Sequence, residues 1–206
     1  MSTAIKPQSI VLASGNAGKI REFQQLLGEY HISIKPQSEF NVPSVDETGL
    51  TFVENAILKA RHACEHTGLA AIADDSGLAV DALNGAPGIY SARYSESGND
   101  ADNNAKLITA LADIPEAKRG ARFICALAFM RHAEDPTPIL AIGQWYGRIL
   151  EAPCGENGFG YDPLFYVPTH HCASAQLDKA EKNAISHRGM AMSQLLDGMR
   201  NAQIIR

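Results

Sequence analysis

Two consecutive aspartates, Asp74 and Asp75, follow the apolar stretch Leu69–Ala73 and precede Ser76 and Gly77. A strand over 69–73 would deliver them at its C-terminal end, where open α/β sheets gather their ligands. Paired carboxylates leaving a core strand must be solvated, hydrogen-bonded or set around a cation. Hard oxygen donors suit Mg²⁺, which takes one or two carboxylates together with substrate phosphates and waters. A carboxylate here could also orient or deprotonate a water. The structural alternative is a helix cap or an Asx-turn after the strand. A second acidic pair, Asp46 and Glu47, lies in a polar loop and counts as solvated charge unless the fold brings it to Asp75.

Basic and glycine-rich segments supply the complementary chemistry. Ser14, Gly15, Asn16, Ala17, Gly18 and Lys19 stand between a strand and a helix, where backbone N–H groups and one lysine can cradle phosphate. This is not a P-loop, which requires glycine at Ala13 and Ser or Thr at Ile20. An ordinary strand-to-helix turn is the competing reading. Lys59 falls off the apolar face of the next helix and suits either phosphate or solvent. Phe159, Gly160, Tyr161 and Asp162 form an aromatic, glycine-flanked turn in which Phe159 could stack on a base and Asp162 accept from a base edge. A tight turn around a buried aromatic explains the same residues. Lys182, Ser186, His187 and Arg188 cluster near the start of the last helix, suited to phosphate or a purine carbonyl, or to a capping serine with exposed basic neighbours. His62 and His66 have metal-ligand spacing, but no glutamate follows His62 as HExxH requires, so both read as surface helix residues.

The elements needed to hold these groups alternate between strand and helix, the pattern of an α/β fold. Ser9–Ala13 reads as a strand, followed by a helix with Ile20, Phe23, Leu26 and Leu27 on one face. An extended stretch covers His31–Pro36, and 38–49 is a loop. Thr51 and Glu54 have capping-box spacing for a second helix that Gly68 stops. After the strand at 69–73, Asn84–Gly98 is a long ordered loop or lid, and a helix around 102–112 buries Leu107, Ile108 and Leu111. Arg122–Met130 is apolar on both faces and reads as a central strand, with a hairpin partner over Ile139–Leu150 that makes the sheet mixed. A short strand over Leu164–Val167 and a C-terminal helix capped by Ser186 complete one domain spanning 1–206.

The 206 residues are 45% hydrophobic and 20% charged, within the globular range. A net charge of −5 argues against a broad nucleic-acid face but not against one small polyphosphate. No apolar run is long enough for a membrane span, and MSTAIKPQSI lacks a signal-peptide core, so no membrane association and a cytoplasmic location are expected. Cys64, Cys125, Cys154 and Cys172 show no CxxC pairing and read as structural thiols.

Five segments, LASGNAGKIREF, DETGLTFVENAILKAR, IADDSGLAVDALNGAPGIYSARY, GFGYDPLFYVP and EKNAISHRGMA, resemble the inosine triphosphate pyrophosphatase family, whose bacterial members are dITP/XTP pyrophosphatases. They run in order through nearly the whole chain. The resemblance implies an elongated two-lobed α/β domain with a central mixed β-sheet flanked by helices and a cleft between the lobes. It further implies a homodimer and Mg²⁺-dependent hydrolysis of ITP, dITP and XTP to the monophosphate and pyrophosphate. By the same resemblance, Ser14 to Lys19 and Lys59 bind the triphosphate, Asp75 is general base and metal ligand, and Glu47 belongs to the metal site. Either Asp74 or Asp46 is a further ligand. Ser76 touches substrate, and Phe159 to Asp162, Lys182, His187 and Arg188 form the nucleobase pocket. A Maf-like pyrophosphatase acting on pyrimidine or modified nucleotides, and a nucleotide sensor without turnover, are the rival readings.

Overall fold

The computed structural model describes residues 9–28 and 32–205, so His31 and the side chain of Leu26 lie outside the described residues. Among the described residues, seven strands form one mixed sheet: β1 (Ile10–Leu12), β2 (Ile34–Pro36), β3 (Ala70–Val80), β4 (Gly120–Met130), β5 (Ile139–Ile149), β6 (Phe165–Val167) and β7 (Cys172–Ala173). Their order is β2-β1-β3-β4-β5-β6-β7. Pairing is parallel for β2, β1 and β3, with Ile10 opposite Ile34 and Ala70, and antiparallel for β5, β6 and β7. The helices are α1 (Ala17–Gly28), α2 (Phe52–Thr67), α3 (Asp100–Ala110), α4 (Lys179–Ile185) and α5 (His187–Asn201).

The chain divides into two compact units. The first holds residues up to Asp75, Cys125–Gly143 and the chain from Gly189 on; the second holds Ser76–Ile124 and Gln144–Arg188. In the first unit, strand alternation sorts side chains to two cores. Ile10, Leu12, Ile72, Leu127 and Phe129 pack with Phe23 and Leu27 of α1 and with Met192, Leu195, Leu196 and Met199 of α5. Val11, Ala13, Ala71, Ala73, Ala126 and Ala128 pack instead with Ala56, Ala60, Ala63 and Cys64 of α2. Alanine meeting alanine lets α2 approach the sheet closely, because interiors pack to crystal-like density.

α2 begins as its sequence requires. Thr51 Oγ1 accepts from Glu54 N–H at 3.2 Å, while Glu54 Oε2 accepts from Leu50 N–H at 2.9 Å, one residue before the N-cap position. Gly68, in the left-handed region, closes the helix through its N–H to Cys64 C=O. Among the described residues no helix is long and apolar enough to cross a membrane.

The structure corrects several boundaries. The strand expected to end at Ala73 continues to Val80, because Leu78, Ala79 and Val80 are themselves buried. Asp74 and Asp75 therefore sit inside a strand, not at its end. The 84–98 segment contains a 3-10 turn over Gly88–Arg93, and the 38–49 loop overlaps another at Gln37–Phe40. Ser186, buried and extended, stands immediately before α5, the place expected for its capping serine, while the two-residue strand β7 has too little pattern to read.

Candidate active site

Strand parity builds the chemistry of the first unit. Asp74 shares the face of Ile72, toward α1, whereas Asp75 shares the face of Ala71 and Ala73, toward α2. Lys19, in the first turn of α1, pairs with Asp74 at 2.8 Å. Asn55 and Lys59, four residues apart on one face of α2, both reach Asp75. Asn55 Nδ2 donates to Asp75 Oδ2 at 3.1 Å, and Lys59 Nζ to Asp75 Oδ1 at 3.2 Å. Lys59 Nζ also donates to Glu47 Oε1 at 2.6 Å. The loop carrying Glu47 is fixed in turn by Gly49 N–H, which donates to Asn55 Oδ1 at 2.8 Å.

Asp74 and Asp75 are 1% and 5% exposed, so their charges persist only because cations face them. Burial raises the Asp75 pKa above the usual carboxylate value, and Glu47 adds to the rise; Lys59 and the Asn55 amide pull it back without cancelling it. Burial works against the Lys59 ammonium, but Asp74, Asp75 and Glu47 outweigh it and raise its pKa. Three carboxylates against two ammonium groups leave the cluster net negative.

A cavity of about 230 Å³ opens on this cluster, lined by Ser14, Gly15, Asn16, Lys19, Glu47, Lys59 and Asp74 among others. Asn16 caps α1 by accepting from Lys19 N–H at 3.0 Å. The N–H groups of Ala17 and Gly18, like those at any helix start, have no intrahelical partner and carry the positive end of the helix dipole. The geometry thus joins the glycine turn, both lysines, Glu47 and Asp74 around one space. Asp46 is exposed and does not line it. Among the described residues no three His, Cys, Asp or Glu side chains form a metal cage. The oxygen-only donor set suits Mg²⁺ shared between one or two carboxylates and a ligand's phosphates.

The second unit assembles an aromatic and basic centre. Asp162, 2% exposed, is its hub. Asp162 Oδ2 accepts from Lys182 Nζ at 2.6 Å and from Phe159 N–H at 2.9 Å, and Oδ1 accepts from Ser174 Oγ at 2.8 Å. Lys182 Nζ and Arg188 Cζ lie 5.1 and 5.9 Å from the Phe159 ring centroid, within cation–π range. Tyr161 OH donates to Ser91 C=O at 2.8 Å, and burial pushes its phenol well up. His187 stacks on Phe123 with centroids 4.8 Å apart and planes 13° apart. Arg188 Nη2 makes a long 3.4 Å contact with Ser76 Oγ. Lys182, His187 and Arg188 are all buried, where an exposed basic patch had been the alternative.

Four contributors escaped the sequence reading. Asn55 had a signal, a helix-disfavoured polar residue beside Ala56 on the buried side of α2. Ser174, Phe123 and Trp145, the last with its ring centroid 6.4 Å from that of His187, gave none, since each looks like ordinary core or loop. Elsewhere, His62 and His66 each hydrogen-bond a backbone carbonyl, and all four cysteines are free.

Residues 10–198 match the family model described as the Ham1 family. A protein of Yersinia pseudotuberculosis named dITP/XTP pyrophosphatase is 58% identical over 95% of this chain and all of its own length. A Vibrio cholerae protein of the same name is 59% identical over 91% of this chain and 94% of its own. Among solved structures, a HAM1 protein from Coxiella burnetii superposes with a TM-score of 0.87 at 51% identity, covering 94% of this chain and 98% of that one.

Proposed function

The chain belongs to the Ham1 family, and on that premise we propose that it is a nucleoside triphosphate pyrophosphatase that cleaves ITP, dITP and XTP to the monophosphate and pyrophosphate. The observation that carries the reading is the Asp74–Asp75 strand segment, clamped by Lys19 and Lys59 beside a glycine-rich helix start. Lys19 and Lys59 exchange carboxylate partners for phosphate oxygens when the triphosphate enters, and the N–H groups of Ala17 and Gly18 donate to the same anion. Asp75, freed from Lys59 and still held at Oδ2 by Asn55, accepts a proton from the attacking water. The water oxygen bonds to the α-phosphorus, and the bond from that phosphorus to the α–β bridging oxygen breaks. Its electron pair leaves with pyrophosphate. Asp75 and Glu47, with Asp74 as a further carboxylate, would hold Mg²⁺, which would supply charge neutralisation on the triphosphate.

The second unit's centre takes the purine in this reading. Phe159 offers a ring face, and His187 and Arg188 offer donors that match a 6-oxo group and not the adenine amine. The protein acts as one domain and as a cytoplasmic homodimer; the exposed Leu140 and Ile142, alternate residues of β5, support a partner surface.

Pyrophosphate release from ITP, dITP, XTP, GTP, ATP and UTP, with and without Mg²⁺, tests the reading. Turnover of the first three, lost with EDTA and in Asp75→Asn, is expected. ITP binding without turnover would replace it with a sensor, and preference for UTP with a pyrimidine-directed enzyme.

A further inference from the structure

The turn carrying Phe159 is exposed from Glu151 to Gly158, and Gly158 and Gly160 hold φ values of +81° and +62°. Such a segment has many competing conformations, because glycine gives up more backbone freedom on ordering than any other residue. Asp162 fixes it from inside, through Phe159 N–H. A second restraint comes from α3. Asp100 Oδ2 accepts from Gly160 N–H at 2.7 Å, and Asn104 Nδ2 donates to Gly160 C=O at 2.9 Å.

Asp100 and Asn104 are four residues apart and so share one face of the helix. Asp100 lies in the first turn, where the dipole favours its charge, and its contact is short and charge-assisted. Asn104 is buried, and its Oδ1 has no hydrogen-bond partner among the described residues. A buried acceptor in that state costs stability, so an apolar side chain would serve the core at least as well. The amide is explained by its other end, the bond to Gly160. The helix start is itself braced, with Asn99 Oδ1 accepting from Asp102 N–H at 2.9 Å and Asn103 Oδ1 from Ser95 N–H at 2.7 Å.

We infer that Asp100 and Asn104 are positioning residues for purine recognition: together they latch the Gly160 peptide and so set the Phe159 ring against Lys182 and Arg188. This rests on the nucleotide reading above. It assigns a role to α3, which carries none of the residues proposed to act on phosphate.

The test compares wild type, Asp100→Ala, Asp100→Asn and Asn104→Leu. KM and kcat are measured for ITP, Ki for inorganic tripolyphosphate as competitive inhibitor, and amide hydrogen exchange over 158–162. Asp100→Ala and Asn104→Leu should each raise KM for ITP about five- to tenfold, the effect of losing one hydrogen bond, with kcat and the tripolyphosphate Ki within about twofold of wild type. Exchange at 158–162 should rise by about tenfold or more. Asp100→Asn keeps an acceptor oxygen and should recover most of the lost affinity. Unchanged KM and exchange in both Asp100→Ala and Asn104→Leu would overturn the latch. A parallel rise in the tripolyphosphate Ki would overturn its assignment to the base. If wild type releases no pyrophosphate from ITP, the nucleotide reading and the base assignment fall together, while the exchange measurement still decides whether the latch exists.

Discussion

Replacing Asp162 by asparagine isolates one physical quantity, the charge at the centre of the second unit. The asparagine oxygen can take the Oδ2 position and accept from Lys182 Nζ and Phe159 N–H. Its amide then faces Ser174 Oγ, a hydroxyl that accepts as readily as it donates. The number of hydrogen bonds is preserved; the counter-charge of Lys182 is not. The two side chains are 3% and 9% exposed, so the remaining ammonium has little water to turn to. Breaking a buried pair from one side costs about 3–5 kcal/mol, and because the hydrogen bonds survive here the low end, about 3 kcal/mol, is expected. With a urea slope of about 2 kcal/mol/M the midpoint falls by about 1.5 M.

Trp145 makes the measurement direct. It is the sole tryptophan, buried in the second unit, 5.1 Å from Phe165 and 6.4 Å from His187 by ring centroids. Its fluorescence therefore follows the unit that contains the substitution. The double variant Asp162→Asn/Lys182→Met removes both charges and should recover at least about 2 kcal/mol of the loss expected from adding the single variants. It should not recover ITP affinity in full, because Lys182, the nearer of the two cations beside Phe159, is gone. A cost below about 1 kcal/mol for Asp162→Asn, or strict additivity in the double variant, would refute the account of Asp162 as a charge-bearing hub.

In metal-free protein, NMR titration of Asp75 should give a midpoint above 3.8, and Lys59→Met should move it higher because the ammonium acts to lower it; a downward move would contradict the assigned coupling. Arg131 and backbone N–H groups of Arg131 and Thr137 hold Asp135 well below the usual carboxylate range, so this side chain stabilises the fold fully above the ordinary value near 3.8 and progressively less as pH falls below it. Asp135→Asn should therefore narrow the gap to wild type as unfolding is followed from pH 6 to pH 3, and a constant gap would count against the linkage. At Gly49 an added Cβ would meet Glu54 Cβ at 2.6 Å and Asn55 Oδ1 at 2.7 Å. Gly49→Ala should cost about 1–3 kcal/mol of stability and, by displacing the amide that holds Asp75, lower kcat for ITP more than it raises KM; normal kcat would separate Asn55 from the general base.

How much of this was legible in the sequence depends on the range of the interaction that fixes each part. The helices and long strands were readable because their signals are local: the Thr51 and Glu54 cap, the Gly68 stop, the doubly apolar run ending at Met130. β3 was cut short because the two aspartates look like the end of a strand. Nothing near them in sequence reveals that Lys19 and Lys59 arrive from elsewhere to keep their charges inside the sheet. Likewise Asp162 reads as a free acceptor until Ser174 and Lys182, distant in the chain, are seen to consume it.

The same strand contains the rule that would have placed both aspartates. Alternation assigns Ile72 to the α1 face and Ala71 and Ala73 to the α2 face, so continuing the count through Asp74 and Asp75 puts one carboxylate on each. Each helix then needs a cation within reach, and each has one: Lys19 in the first turn of α1, and Lys59 one turn after Asn55 on α2. A pair of adjacent buried charges in a strand is thus a statement about two different neighbours. Consecutive side chains point to opposite sides of the sheet, so each carboxylate meets its own lysine in a direct ion pair, while the charge of Lys59 is felt by both. The division of labour between the aspartates follows from that count. Asp75 faces Asn55, Lys59 and, through Lys59, Glu47, a setting that raises its pKa and suits proton acceptance. Asp74 faces Lys19 and the glycine turn, where a carboxylate serves to hold a phosphate-binding lysine until the anion takes its place.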